Sequence, residues 1–192
     1  FGGDKPTPYL EGDTAAPRGV YAAAKAEAER LVLAAFPDAL LIRPDAFFGP
    51  WDGRNALTRA IRAVGRGEGF AAASDVTVSP TYLPDLADGT LDLLMDGERG
   101  LWHLANEGTV TWAELAKAAV AGAALDAAQV RAVPGAELGW RAPRPAQSAL
   151  RSSRGALMPP LDKALGCYLG ALRSGAGDIA SGAWLTRYRP PG

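Results

Sequence analysis

The 192-residue sequence contains one cysteine, Cys167, and one histidine, His103. A single thiol excludes an internal disulfide, and a single imidazole excludes a metal centre built from several histidines. No metal site is expected. Cys167 lies in an LGCYL run, where the pattern predicts a packed thiol. Neither sign of charge is in excess: 20 Lys and Arg stand against 21 Asp and Glu, for a net charge of −1. With the cations spread along the chain, there is no footprint for nucleic acid and no polybasic membrane segment. No apolar run is long enough to cross a bilayer and no signal-peptide pattern is present, which predicts a cytoplasmic location. Also missing is a strand followed by GxxGxxG and a helix, the unit that cradles a dinucleotide pyrophosphate. The GRGEG run at Gly65 to Gly69 follows a helical pattern and meets Phe70 where a further glycine is needed, so it reads as a surface turn.

What is present is an alternation of helix and strand. At 48% hydrophobic and 21% charged residues, the chain can bury the core of one domain or one and a half. The Ala, Glu and Leu-rich run from Gly19 to Phe36 predicts a helix, with Pro17 near its start and Pro37 past its end. Ala39 to Arg43 reads as a buried strand of a parallel sheet. Helical spacing continues over Asn55 to Arg66, and Val76 to Val78 predicts a brief strand. Pro84 opens a helix through Met95, and Gly100 to Ala105 forms a strand. Thr111 and Glu114 form a capping box for a helix from Trp112 to Ala121. Further strands are expected near Val130 to Val133 and Gln147 to Leu150, and a last helix over Leu161 to Leu172. The Gly, Pro and Ser-rich stretch 174–192 reads as a tail or linker. Such alternation implies an α/β fold whose ligands sit beyond the carboxyl ends of parallel strands. Phe47 and Phe48 fall there, and each suits either a core position or the wall of a cleft. Trp102, Trp112 and His103 lie in elements that read as packed.

The sharpest chemical signal is Tyr21 with Lys25, four residues apart on one face of the first helix. A phenol with an ordinary pKa of about 10 can transfer a proton near neutral pH if a nearby cation favours its ionised form. The alternative is a half-buried helix tyrosine beside a solvated lysine. The flanking motifs favour the catalytic reading. Phe1-Gly2-Gly3 with PYLEGD, LIRPDAFFGP, SPTYLPDLADGTLDLL, WHLANEGTVTWAELAKA and RPAQSALRSSR occur in series, and Glu29 completes the motif that begins at Tyr21. This series resembles the sugar-nucleotide branch of the extended short-chain dehydrogenases, and within it the dTDP-4-dehydrorhamnose reductase family. Ala22, Ala24 and Ala28 depart from the family's YGxSKxxGE.

The resemblance implies the C-terminal part of an NAD(P)-binding Rossmann fold with a small α/β substrate-binding part. Segments 1–55 and 76–96 belong to the former, and 56–75 and 97–173 to the latter. It implies NADPH- or NADH-dependent reduction of a 4-keto deoxysugar nucleotide, with Tyr21 protonating the keto oxygen and Lys25 also holding the nicotinamide ribose. Arg43 and Pro44 fall at the cofactor's nicotinamide end, although an Arg at a strand end is also a common ion-pair member. Asn55, Thr81, Tyr82, Arg144 and Ser148 occupy positions on the nucleotide-sugar side, with Arg144 as the diphosphate contact; each also suits loop scaffolding. The family's Ser or Thr partner of the tyrosine and its Gly-rich turn have no counterpart here. The chain is therefore expected to be part of a longer or fused polypeptide and inactive by itself; a homodimer is compatible with it. Where the family usually reads RTSWVYG this chain has RPDAFFG, so Ala46 replaces a Trp that packs against the sugar. Two other readings stand beside the reductase: a non-catalytic binding subunit resembling the regulatory beta subunit of methionine adenosyltransferase, and a nucleotide-sugar epimerase.

Overall fold

The computed structural model describes residues 1–142 and 144–175. Eight short strands and five helices alternate along it as α1 (Val20–Ala35), β1 (Leu40–Arg43), β2 (Phe47–Phe48), α2 (Ala56–Gly65), β3 (Phe70–Ala73), β4 (Thr77–Val78), β5 (Thr81–Tyr82), α3 (Leu83–Met95), β6 (Gly100–His103), β7 (Val110–Thr111), α4 (Trp112–Gly122), β8 (Val130–Val133) and α5 (Leu161–Arg173). Three strand pairs are parallel, β1 with β6, β2 with β5 and β3 with β8, while β4 pairs antiparallel with β7. The expected α/β class with parallel strands and flanking helices is what the chain adopts.

Local chemistry sets the helix starts. Asn55 caps α2 by accepting the Thr58 amide at 2.9 Å, and its own amide donates to the carbonyls of Gly49 and Asp52, so the cap also folds the loop before it. The capping box of α4 is complete: Thr111 Oγ1 accepts from the Glu114 amide, and the Glu114 carboxylate accepts from the Thr111 amide at 2.8 Å. Pro84 stands in the first turn of α3, where a missing N–H costs nothing.

The core lies among α2, α4 and α5. Phe48, Leu57, Tyr82, Leu115, Leu161 and Tyr168 pack in one cluster, which Phe48 tightens through an edge-on contact with the Tyr168 ring. Ala60, Val64, Ala72, Ala116, Val120 and Val130 form a second cluster between α2, α4 and the β3–β8 pair. Under α3, Leu93, Trp102, Leu104 and Met158 form a third. By contrast α1 has no buried residue at all.

Several expectations are corrected. Cys167 is exposed rather than packed, because α5 buries the stripe Leu161, Ala164 and Tyr168 and Cys167 falls off it. Of the two phenylalanines, Phe48 is core while Phe47 is exposed. Strand β3 was not foreseen; it follows the GRGEG turn directly and pairs with β8 along its whole length. Gln147 to Leu150 forms only isolated bridges, Gln147 to Thr77 and Leu150 to Tyr9. Nearly all of the predicted tail, from 176 onward, lies outside the described residues.

Candidate active site

Helix α1 carries Tyr21 and Lys25 on one face, with the Lys25 ammonium 5.6 Å from the centre of the Tyr21 ring. Tyr21 is 77% exposed. Neither side chain hydrogen-bonds another residue among those described, so both remain open to an incoming ligand. The neighbouring face of α1, Ala22, Ala26 and Glu29, is partly buried and seats the helix on the protein. From there Glu29 reaches strand β1 and takes the Arg43 guanidinium in a two-point grip, with Arg43 Nε donating to Oε1 at 2.7 Å and Nη2 donating to Oε2 at 2.5 Å. Arg43 thus spends its fork on a protein partner. Pro44, partly buried, follows at the end of β1.

Beyond β1 the chain converges on a residue that the sequence reasoning passed over. Asp45 Oδ2 accepts the Ser79 amide at 3.0 Å and the Ser148 hydroxyl at 2.9 Å, and the Asp45 amide donates to Thr81 Oγ1 at 3.2 Å. Two of the five residues expected on the substrate side are drawn into this knot. Thr81 and Ser148 touch Asp45, and Tyr82 follows Thr81 in β5, its amide held by Asn106 Oδ1 at 2.8 Å. Burial pushes the Asp45 carboxyl up to about 6, against the lowering effect of the Ser79 and Ser148 bonds. The signal for Asp45 was available: it stands in RPDAFFG beside the Ala46 departure. Ala46 itself has φ +31°, an uncommon backbone for a residue with a Cβ, and its carbonyl accepts the Thr81 amide at 3.1 Å.

Three expected substrate residues stand apart from the knot, Tyr82 among them, its ring packed in the core against Phe48. Asn55 is buried and its amide is engaged in capping α2, while Arg144 is exposed with its guanidinium 5.8 Å from the centre of the Trp140 ring. The structure gives Tyr21 no contact with the Asp45 knot. A cavity of about 390 Å³ lies elsewhere, between the 104–109 loop and the 150–158 segment, and none of the expected site residues lines it.

A second polar knot ties the first residues to the far end of the chain. Glu11 accepts the His103 amide at 2.9 Å and both the amide and hydroxyl of Ser153 at 2.8 Å. Burial works to raise the Glu11 carboxyl, but these bonds outweigh it and hold the group at about 2. His103 is buried, which lowers its pKa, and its Nδ1 lies between the Tyr9 and Arg151 carbonyls at 3.1 and 3.2 Å. It is packed, as its element led us to expect. Among the described residues no cluster of His, Cys, Asp and Glu could hold a metal ion, and no helix is long and apolar enough to cross a membrane.

Comparison with known proteins places the chain in a family. Residues 1–158 match the family described as the RmlD substrate binding domain. A dTDP-4-dehydrorhamnose reductase of Mycobacterium tuberculosis is 40% identical over 82% of this chain and 52% of its own length. A probable dTDP-4,6-dihydroxy-2-methyloxan-3-one 4-ketoreductase of Streptomyces antibioticus is 35% identical over 80% of this chain and 52% of its own. The chain thus spans about half the length of the curated relatives it matches. Among solved structures, a dTDP-4-dehydrorhamnose reductase from Bacillus anthracis in complex with NADP superposes with a TM-score of 0.81 at 29% identity, covering 88% of this chain and 61% of that one. The ortholog from Clostridium acetobutylicum gives a TM-score of 0.84 at 25% identity over 90% and 62%. A helix with an open Tyr-Lys pair, set beside a parallel sheet in this order of motifs, is thus found in a chain that belongs to the RmlD substrate binding domain family.

Proposed function

We propose that this chain supplies the proton-donating helix and the nucleotide-sugar side of a reductase that acts on a 4-keto deoxysugar nucleotide with a nicotinamide cofactor. The observation that carries the reading is the open Tyr21 and Lys25 pair on α1, with the Lys25 ammonium 5.6 Å from the phenol ring. The donor set fits one end of the cofactor. An ammonium and a phenol exposed side by side suit a ribose hydroxyl and a reacting carbonyl, whereas no segment of the sequence offers the Gly-rich turn that holds a pyrophosphate. When bound, a reduced nicotinamide supplies the hydride.

Tyr21 hydrogen-bonds the keto oxygen and gives it a proton as negative charge develops there. Lys25 eases the loss of that proton by favouring the phenolate. Pro44 ends β1 at the nicotinamide side. On the substrate side, Thr81 and Ser148 shape the sugar end through the Asp45 knot, Tyr82 follows Thr81 in β5, and Asn55 caps α2 and fixes the loop before it. Arg144, exposed and planar, is suited to a diphosphate. Cofactor affinity depends on a dinucleotide-binding half joined to this chain in a longer polypeptide, and the 192-residue chain alone is inactive.

The test is an assay of the full-length protein with dTDP-4-dehydrorhamnose and related 4-keto nucleotide sugars, following NADPH absorbance. Oxidation with at least one of them is expected; none with any would overturn the reading. Calorimetric titration of the 192-residue chain with NADPH and NADH is expected to give no binding in the micromolar range. Micromolar affinity would show that the cofactor site lies elsewhere in this chain.

A further inference from the structure

Helix α1 is held unlike any other helix of the molecule. It buries no side chain, and Leu31, Val32 and Leu33 are exposed on it. Its seat is a stripe of Ala22, Ala26 and Glu29, two methyl groups and one carboxylate. Methyl groups let a helix sit close but give little to resist rotation or sliding. Among the described residues, one side-chain ion pair joins α1 to another element, and it is Glu29 with Arg43. The Arg30–Glu27 pair lies within the helix, three residues apart and exposed, so it cannot fix the helix against the sheet.

The Glu29–Arg43 pair has the features that make an ion pair directional. It is bidentate, which fixes the plane of the guanidinium as well as its position. Its side chains are only 19% and 26% exposed, so it is poorly screened. The guanidinium is also packed against the Phe1 ring, 5.1 Å from its centre, which restrains Arg43 from a second direction. Position 29 stands eight residues after Tyr21 and four after Lys25, so it lies roughly 80° round the helix from Tyr21, on the seated face that flanks the Tyr-Lys pair. Fixing Glu29 therefore fixes the azimuth of Tyr21 and Lys25.

We infer that Glu29 and Arg43 are positioning residues that set the rotation of α1 and thereby aim the Tyr21 hydroxyl. This rests on the reductase reading above for its link to catalysis, while the anchoring itself is read without any activity. It also assigns Arg43 a task other than contact with the cofactor.

Hydrogen–deuterium exchange on the 192-residue chain tests the anchor. In Glu29→Gln and Arg43→Gln, amides of 24–35 are expected to exchange on the order of ten-fold faster while those of α4 and β6 keep their rates. Glu27→Gln, which breaks only the pair inside the helix, should leave the seating of α1 unchanged. Unchanged exchange of α1 in both anchor variants, or equal acceleration across the whole chain, would overturn the proposal. In the full-length reductase, Glu29→Gln is expected to lower kcat on the order of ten-fold with KM for the nucleotide sugar unchanged. In a Tyr21→Phe background the same change should have no further effect on the residual rate, because Glu29 acts through Tyr21. Equal losses in both backgrounds would overturn the link to Tyr21. A wild-type enzyme silent toward every 4-keto nucleotide sugar counts against the reductase reading, and the exchange rates still decide the anchor.

Discussion

Helix α1 and helix α4 are both alanine-rich, and they are opposites in every other respect. The α4 helix buries Ala113, Leu115, Ala116, Ala119 and Val120 between α2, α5 and the β3–β8 pair, and a complete capping box starts it. The α1 helix buries nothing, and no side chain caps it: Gly19 at its N-cap has φ +85° and no side-chain oxygen to offer. Composition and helix propensity do not distinguish the two. What differs is the layer each has to lie against, so the helix proposed to do the chemistry is the least self-supporting helix among the described residues.

That contrast is sharpest in paired substitutions of leucine. Leu115→Ala, in the core, should cost about 3 kcal/mol in urea unfolding of the 192-residue chain. Leu31→Ala, half-exposed on α1, should cost no more than about 0.5 kcal/mol. Similar costs at the two positions would break the comparison. The reverse asymmetry is expected in turnover. In the proposed full-length reductase, Tyr21→Phe should lower kcat on the order of 100-fold, about 2.7 kcal/mol in barrier, while leaving NADPH affinity and the melting temperature of the chain unchanged. A Tyr21→Phe enzyme within three-fold of wild type would remove α1 from the chemistry.

The two carboxylate knots separate by pH, with opposite signs. Asp45 has its folded pKa raised to about 6 from 3.8, so the folded state holds its proton more firmly than the unfolded chain does. Its contribution therefore falls as pH rises from about 4 to about 6, and the loss persists at neutral pH. Asp45→Asn, which keeps an acceptor for Ser79 and Ser148, should raise stability at pH 7 by about 2 kcal/mol and flatten that slope. Glu11 runs the other way: its folded pKa of about 2 lies below the ordinary 4.5, so its contribution is complete above 4.5 and disappears as pH falls toward 2. Since Glu11 is only partly enclosed, solvent screening reduces its effect, and Glu11→Gln should cost about 1 kcal/mol at pH 7. Thermal melts of both variants across pH 3 to 8 check these signs, and the Glu11→Gln difference should narrow toward the acid end.

Much of the framework was legible because its signals are local. A capping box needs only Thr111 and Glu114 in register, a Pro-started helix only Pro84, and a Tyr-Lys stripe only its four-residue spacing. Strand β3 escaped because FAAA has no β-branched residue and three alanines that favour helix. It is a strand because β8 supplies a partner 60 residues away and α4 covers it. Cys167 misled for a related reason: the apolar run around it does not say which stripe of α5 turns inward. At the site, the Tyr21 and Lys25 pairing could be read from spacing, whereas the knot at Asp45 joins positions 34 and 103 residues apart, and no local pattern announces such a meeting.

The staple at Glu11 also has a bearing on the order in which the molecule is assembled. Residues 9–11 bond to Ala149, Arg151 and Ser153, partners about 140 residues downstream. During synthesis, the groups of this loop that bond Ala149, Arg151 and Ser153 stay unpaired until nearly the whole described chain has left the ribosome. Closing so long a loop is slow, and it gains these bonds only once the 147–153 segment is laid along β4. Residues 9–11 are therefore among the last of the described residues to settle, and a ribosome stalled before Ser153 would hold a nascent chain in which α1 is complete and the 9–11 loop is still unfastened from the 149–153 segment.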